Sequence, residues 1–151
     1  MKFGVLSRSP NETKKIAKLL AEDLIGGEIV GLIGDLGGGK TTFIQGLALG
    51  LKIKEQVKSP TFVILKKYKV PKHKTIKWLF HFDLYRLKNP QELLDLGFEE
   101  IIQDKKSIFV IEWADRAYKV LPKNLLKISF RCFNKNLRQI IFSSKLNLTR
   151  E

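Results

Sequence analysis

Short apolar runs bounded by glycine, proline and polar clusters alternate along this chain with stretches in which apolar residues recur every third or fourth position. Residues 3–6 predict a short strand. Ser9-Pro10-Asn11 offers a helix start, and Ile16, Leu19, Leu20 and Leu24 follow at helical spacing as far as Gly26-Gly27. The apolar run 29–33 predicts a buried strand over 28–33, and a helix is expected over 41–49, ending near Gly50. The stretch 51–60 is polar and irregular. Residues 61–70 and 75–82 are rich in β-formers and flank Pro71-Lys72-His73-Lys74, which predicts a hairpin. Asn89-Pro90 opens a helix over 91–96 closed by Gly97, with a further turn over 98–102. A buried strand is expected over 107–111, a short helix around 115–120 before Pro122, and a second hairpin from 125–133 and 137–143 around Asn134-Lys135-Asn136. This alternation predicts a three-layer α/β fold, its sheet mostly parallel with antiparallel strands added by the two hairpins.

Size narrows the organisation: 151 residues suffice for one core and too few for two, so a single domain over 1–151 is expected. No apolar run approaches the roughly 20 residues that cross a bilayer. The start of the chain lacks the apolar segment of a secretory leader, so no membrane role and a cytoplasmic location are expected. Cys132 is the sole cysteine, which excludes an internal disulfide and a multi-thiolate metal site. Its apolar surroundings predict a small buried filler.

One segment carries explicit chemistry. Gly34-Asp35-Leu36-Gly37-Gly38-Gly39-Lys40-Thr41 matches G-x-x-x-x-G-K-[ST] in full, with the expected strand before it and the expected helix after it. Glycines let successive backbone N–H groups turn inward onto phosphates. Lys40 meets the β and γ oxygens of a nucleoside triphosphate, Thr41 offers a hydroxyl to Mg²⁺, and the helix N-terminus favours the same anion. A nucleoside triphosphate as ligand, Mg²⁺ as cofactor and a fold of the P-loop NTPase type follow, with the nucleotide at the carboxyl ends of the parallel strands.

A phosphate loop needs an acid at the end of a neighbouring strand, to hold Mg²⁺ or its waters and to orient the attacking group. Two strands supply one: residues 108–111 run into Glu112, and residues 78–82 run into Asp83. Strand alternation puts His81 and Asp83 on one face and Phe80 and Phe82 on the other. His81 reads either as a hydrogen-bonded structural residue or as a base. Arg86 either stabilises γ-phosphate charge or pairs with Asp83, and Trp113 either stacks on a base or partner or simply packs. Ser59-Pro60-Thr61-Phe62 lies where nucleotide switches place a hydroxyl that senses the γ-phosphate.

Taken together, the phosphate loop with Thr42, Ser59-Pro60-Thr61-Phe62, His81-Phe82-Asp83-Leu84-Tyr85-Arg86 and Glu112-Trp113 resemble the bacterial TsaE family in order and spacing over nearly the whole chain. The resemblance implies an ATPase partner of TsaB and TsaD in threonylcarbamoyladenosine synthesis on tRNAs that read codons beginning with A. Such an ATPase is slow alone and coupled to assembly or reset of the complex, with tRNA reached through the complex. It further implies Mg²⁺-site roles for Thr41, Glu112 and Asp83, catalytic roles for Glu112, Asp83 and Lys40, and a switch-like role for Thr61. Gly37, Gly38, Gly39, Lys40, Thr41, Thr42 and Arg138 are then the nucleotide-binding positions.

Competing functions fit less well. A small-molecule P-loop kinase shares the loop, but no lid-sized insertion or lid arginine pair is evident. A GTPase needs Asn-Lys-x-Asp, and Asn134-Lys135-Asn136-Leu137 lacks the acid. The net charge of +13 admits an RNA-binding component whose hydrolysis is incidental. Against that, lysines outnumber arginines 22 to 6 and are scattered, with local clusters at Lys14-Lys15-Lys18, Lys66-Lys67-Lys69 and Lys72-Lys74-Lys77.

Overall fold

In the computed structural model, which describes residues 2–35, 37, 39–59 and 64–144, strands and helices alternate much as the pattern predicts. The strands are β1 (Lys2–Ser7), β2 (Ile29–Gly34), β3 (Leu65–Lys69), β4 (Trp78–Asp83), β5 (Ser107–Glu112), β6 (Leu126–Cys132) and β7 (Arg138–Ser144). The helices are α1 (Pro10–Asp23), α2 (Lys40–Gly50), α3 (Gln91–Asp95) and α4 (Phe98–Ile101), with a 3-10 turn at Ala114–Ala117. All strands join one sheet in the order β1-β7-β6-β2-β5-β4-β3. Its centre, β6-β2-β5-β4, is parallel. The two hairpins add the antiparallel pairs β3/β4 and β6/β7, and β1 closes the far edge antiparallel to β7.

Side-chain alternation in the central strands builds two apolar layers. Ile108 and Val110 of β5 face α1 and α2, in a core with Val30, Leu32, Phe43, Leu47 and Leu79. Phe109 and Ile111 face the opposite way and join Phe82, Leu93, Phe98 and Ala117 under α3, α4 and the 3-10 turn. A strand buried on both faces reads as a continuous apolar run, as Ile108–Ile111 does. Helix α1 starts at Ser9, whose hydroxyl accepts from the Glu12 amide at 3.0 Å, while the Glu12 carboxylate accepts from the Arg8 amide at 2.6 Å. It lies close on α2 because Gly46 and Gly50 carry no side chain there: a Cβ at Gly46 would come within 2.6 Å of the Lys14 carbonyl oxygen.

Two expectations change. Cys132 is exposed rather than buried: it shares a face with Ile128 and Phe130, but β6 extends two residues past the end of its pairing with β2 at Phe130, and its thiol donates to the Asn134 carbonyl at 3.1 Å. The helix expected around 115–120 is a 3-10 turn over Ala114–Ala117, entered through Trp113 in the left-handed region at φ 57°. Among the described residues, no helix is long and apolar enough to cross a membrane.

Candidate functional site

Strand parity decides which side chains meet. Residues 108, 110 and 112 of β5 point to the α2 side of the sheet, as do 79, 81 and 83 of β4, and Asp83 lies opposite Glu112 in the parallel register. Helix α2 begins beneath the same edge, directly after the loop from β2. The carboxyl ends of β2, β4 and β5 and the start of α2 therefore close on one point.

Gly34 and Gly39 make the loop possible. Gly34 sits at φ 142° with the Phe130 carbonyl oxygen 2.5 Å from where a Cβ would stand, and Gly39 enters α2 at φ 99°, so neither place admits an ordinary side chain. Lys40, 5% exposed, folds back so that its ammonium donates to the carbonyls of Gly34 at 2.7 Å and Asp35 at 2.8 Å. The Trp113 ring covers the same ammonium at 4.1 Å. Burial lowers the Lys40 pKa, against the opposing pull of Glu112, Asp115, Asp35 and Asp83. The loop thus holds a poorly solvated cation without a carboxylate directly on it, which suits a polyphosphate.

Glu112, 2% exposed, is the hub. One carboxylate oxygen accepts from the Thr41 hydroxyl at 2.7 Å, and the other accepts from Ser59 at 3.2 Å and meets His81 Nε2 at 3.1 Å. The Thr41 and Ser59 hydroxyls are themselves 2.9 Å apart. Burial alone would raise the Glu112 pKa, but the hydrogen bond and charge of His81, then Thr41 and Asp83, outweigh it and hold the carboxyl below its usual value. Asp83 goes the other way, to about 6, through burial first and then the neighbouring Glu112, against the Tyr85 amide that donates to it at 3.0 Å. The two carboxyls are thus split in character, Glu112 ionised and Asp83 reluctant to be.

Among the described residues, no group of three His, Cys, Asp or Glu side chains is arranged to hold a metal ion alone. The donors at this point nonetheless fit Mg²⁺: a threonine hydroxyl and two carboxyls are hard oxygen ligands, and such sites are commonly completed by phosphate oxygens and water.

Arg138, at the start of β7, reaches across from the second hairpin. Its Nη2 donates to the Gly37 carbonyl at 2.9 Å, and its buried Nε has no partner beside Gly39. Thr42 follows in the first turn of α2, half-buried. Arg86 is exposed in the turn after β4. Gly38 and Thr61 lie outside the described residues. The structure thus gathers Lys40, Thr41, His81, Asp83, Glu112 and Trp113 at one point, with Arg138 braced on the loop. Sequence reasoning named the segment that begins at Ser59 but did not assign the serine hydroxyl to Glu112. It also missed Arg116, whose guanidinium lies 5.3 Å from the rings of both Trp113 and Tyr85.

The family described as threonylcarbamoyl adenosine biosynthesis protein TsaE matches residues 7–140. The chain belongs to the TsaE family. The tRNA threonylcarbamoyladenosine biosynthesis protein TsaE of Bacillus subtilis is 39% identical over 136 residues, 90% of this chain and 82% of that protein. Its counterpart in Treponema pallidum is 37% identical over 135 residues, covering 89% and 96%. Among solved structures, the crystal structure of Bacillus subtilis YdiB superposes with a TM-score of 0.77 at 33% identity, over 95% of this chain and 86% of that one. In this TsaE chain the phosphate loop and its strand-end acids sit in a nucleotide-binding fold that extends over nearly all of both proteins.

Proposed function

We propose that this TsaE chain is a Mg²⁺-dependent ATPase, acting as a single cytoplasmic domain with TsaB and TsaD in the threonylcarbamoyladenosine modification of tRNA. The observation that carries the proposal is the 2.7 Å hydrogen bond from Thr41 to Glu112 at the mouth of the loop that also presents Lys40. It joins a metal-binding hydroxyl to a buried, ionised carboxylate, the pairing a phosphoryl-transfer site requires.

In this account the loop amides and the start of α2 take the phosphates, and the Lys40 ammonium, already held at the loop by two carbonyls, turns onto the β and γ oxygens. Thr41 and Glu112, with Asp83 beside them, would hold Mg²⁺, which when bound offsets phosphate charge. Glu112 accepts a hydrogen bond from the attacking water and orients it, while His81 fixes the carboxylate from behind. Arg138 braces the loop at Gly37 and aims its unpartnered Nε–H where an acceptor on the nucleotide would satisfy it. Thr61 supplies the hydroxyl that senses the γ-phosphate. Turnover is slow until the partners are present, since a coupled ATPase gains by not hydrolysing alone.

The fate of the γ-phosphate tests the proposal. With labelled ATP, TsaB and TsaD, the label should appear as free orthophosphate. Label on a small molecule would replace the ATPase with a kinase.

A further inference from the structure

The edge of the sheet beyond β4 carries a charge pattern that neither the nucleotide site nor the fold requires. Between Lys66 and Lys77 there are six lysines, Lys66, Lys67, Lys69, Lys72, Lys74 and Lys77, and no acid. All six are exposed. Lys105 and Lys106 join them, because the Lys77 amide donates to the Lys106 carbonyl at 2.6 Å where the hairpin meets the start of β5. Among the described residues, none of these lysines is in an ion pair with a carboxylate. The acid near them is Asp104, whose pKa is lowered first by the Ser107 hydroxyl and only later by the Lys106 and Lys67 charges.

Edge protection does not account for this. One or two lysines blunt an edge strand, and β1 at the opposite edge has only Lys2. Here three of the five β3 residues are lysine, and three more lie in the hairpin connection, where there is no ladder to protect. Accumulated like charge also opposes folding. The lysines are interleaved with aromatic faces. Lys67 lies 3.9 Å over the half-buried Trp78 and 5.2 Å from Phe80, and Lys69 stands opposite Trp78 in the register. Lysines around partly open aromatic rings are the makings of a nucleic-acid surface, which takes phosphates on its cations and bases on its rings.

We infer that this lysine edge, from β3 through the hairpin to Lys106, is a direct contact surface for the phosphate backbone of RNA, tRNA in this setting. Strand β3 begins beside Phe82, next to the nucleotide site, and ends opposite Trp78 at the far end of β4, so bound RNA lies along an edge and leaves the phosphate loop open. The choice of RNA over an acidic protein rests on the tRNA-modification reading.

The test is binding of fluorescently labelled, unmodified tRNA to the full chain across a salt series, without ATP, TsaB or TsaD. A failure here therefore leaves the ATPase reading standing. The variants are the triple change Lys67→Gln, Lys69→Gln, Lys77→Gln and, with the same loss of charge elsewhere, Lys14→Gln, Lys15→Gln, Lys18→Gln on α1. Wild type should bind with steep salt dependence. The edge triple should lose at least about tenfold in affinity and about 2 units of the log-log salt slope, at roughly 0.7 to 0.9 per phosphate contact. The α1 triple should stay within about threefold of wild type. Equal loss in both triples would reduce the surface to diffuse charge and overturn the inference. So would displacement of the tRNA by polyglutamate as readily as by unlabelled tRNA, which would point to an acidic protein. Unchanged ATP-analogue affinity in both triples shows that they fold.

Discussion

Glu112→Gln keeps the shape of the side chain at the centre of the site and removes only its charge. Three hydrogen bonds converge on the carboxylate, at 2.7, 3.2 and 3.1 Å from Thr41, Ser59 and His81. Bonds to a charged group contribute about 1.5–3 kcal/mol and neutral ones about 0.5–1.5, so the change costs roughly 1 kcal/mol per bond and about 3 in all. Two effects offset it: a buried amide is far cheaper to desolvate than a buried carboxylate, and Asp83 loses a like charge. The amide can still accept from Thr41 and donate to His81 Nε2, although the imidazole then carries its proton on Nδ1, which is buried without a partner and gives back part of that gain. Net stability should fall within about 1.5 kcal/mol of wild type, a shift in Tm of no more than about 6 °C for a chain of this length. Hydrolysis should fall about 10²–10⁴-fold, because the group proposed to orient the attacking water has lost its basicity. Thermal unfolding, affinity for a fluorescent ATP analogue without Mg²⁺, and single-turnover hydrolysis measure the three quantities. Hydrolysis within about threefold of wild type would refute the role given to Glu112, whatever the stability.

Lys40→Ala should weaken ATP-analogue binding about a hundredfold or more, since it removes the ammonium proposed to meet the phosphates, and equilibrium titration reads this directly. Asp83→Asn tests the split between the carboxyls. Asp83 holds its proton more tightly folded, at about 6, than at its ordinary value of 3.8, so the stability it contributes is fully present below pH 3.8 and lost as pH rises through 6. The asparagine variant should therefore equal wild type near pH 4 and exceed it at pH 7.5 in denaturant melts, while its hydrolysis falls; lower stability at pH 7.5 would contradict the assignment. Ser59→Ala reads the hydroxyl lying between Thr41 and Glu112. If Ser59 competes with the cation for those oxygens, the variant should need less Mg²⁺ for half-maximal nucleotide binding, and a higher requirement would make Ser59 a ligand instead.

Local signals carried much of this molecule, and the failures share a physical cause. The phosphate loop was legible because its chemistry is written in consecutive residues with a strand before and a helix after. Asp83 and Glu112 were legible because each ends an apolar run, and strand parity then put His81 on the side of Asp83. Ser59 was not assigned to Glu112 because the two are 53 residues apart and meet only through the tertiary fold. Cys132 failed for a related reason: its parity in β6 is that of the buried Phe130, but the strand outruns β2, whose pairing ends at Phe130. The 3-10 turn was overextended into a helix because composition does not reveal that the chain leaves Glu112 through a left-handed Trp113, which turns that ring onto Lys40. The lysine edge was visible as composition, and only the sheet order brought it beside Lys105 and Lys106.

The central claim is a nucleotide site whose turnover depends on assembly. Its most direct measurement is the steady-state ATP hydrolysis rate of the purified chain, alone and after addition of TsaB and TsaD from the same source, with GTP in parallel. The account predicts slow turnover alone, strong stimulation by the two partners together and little activity with GTP. An unchanged rate on adding the partners, or equal turnover of GTP, would contradict it.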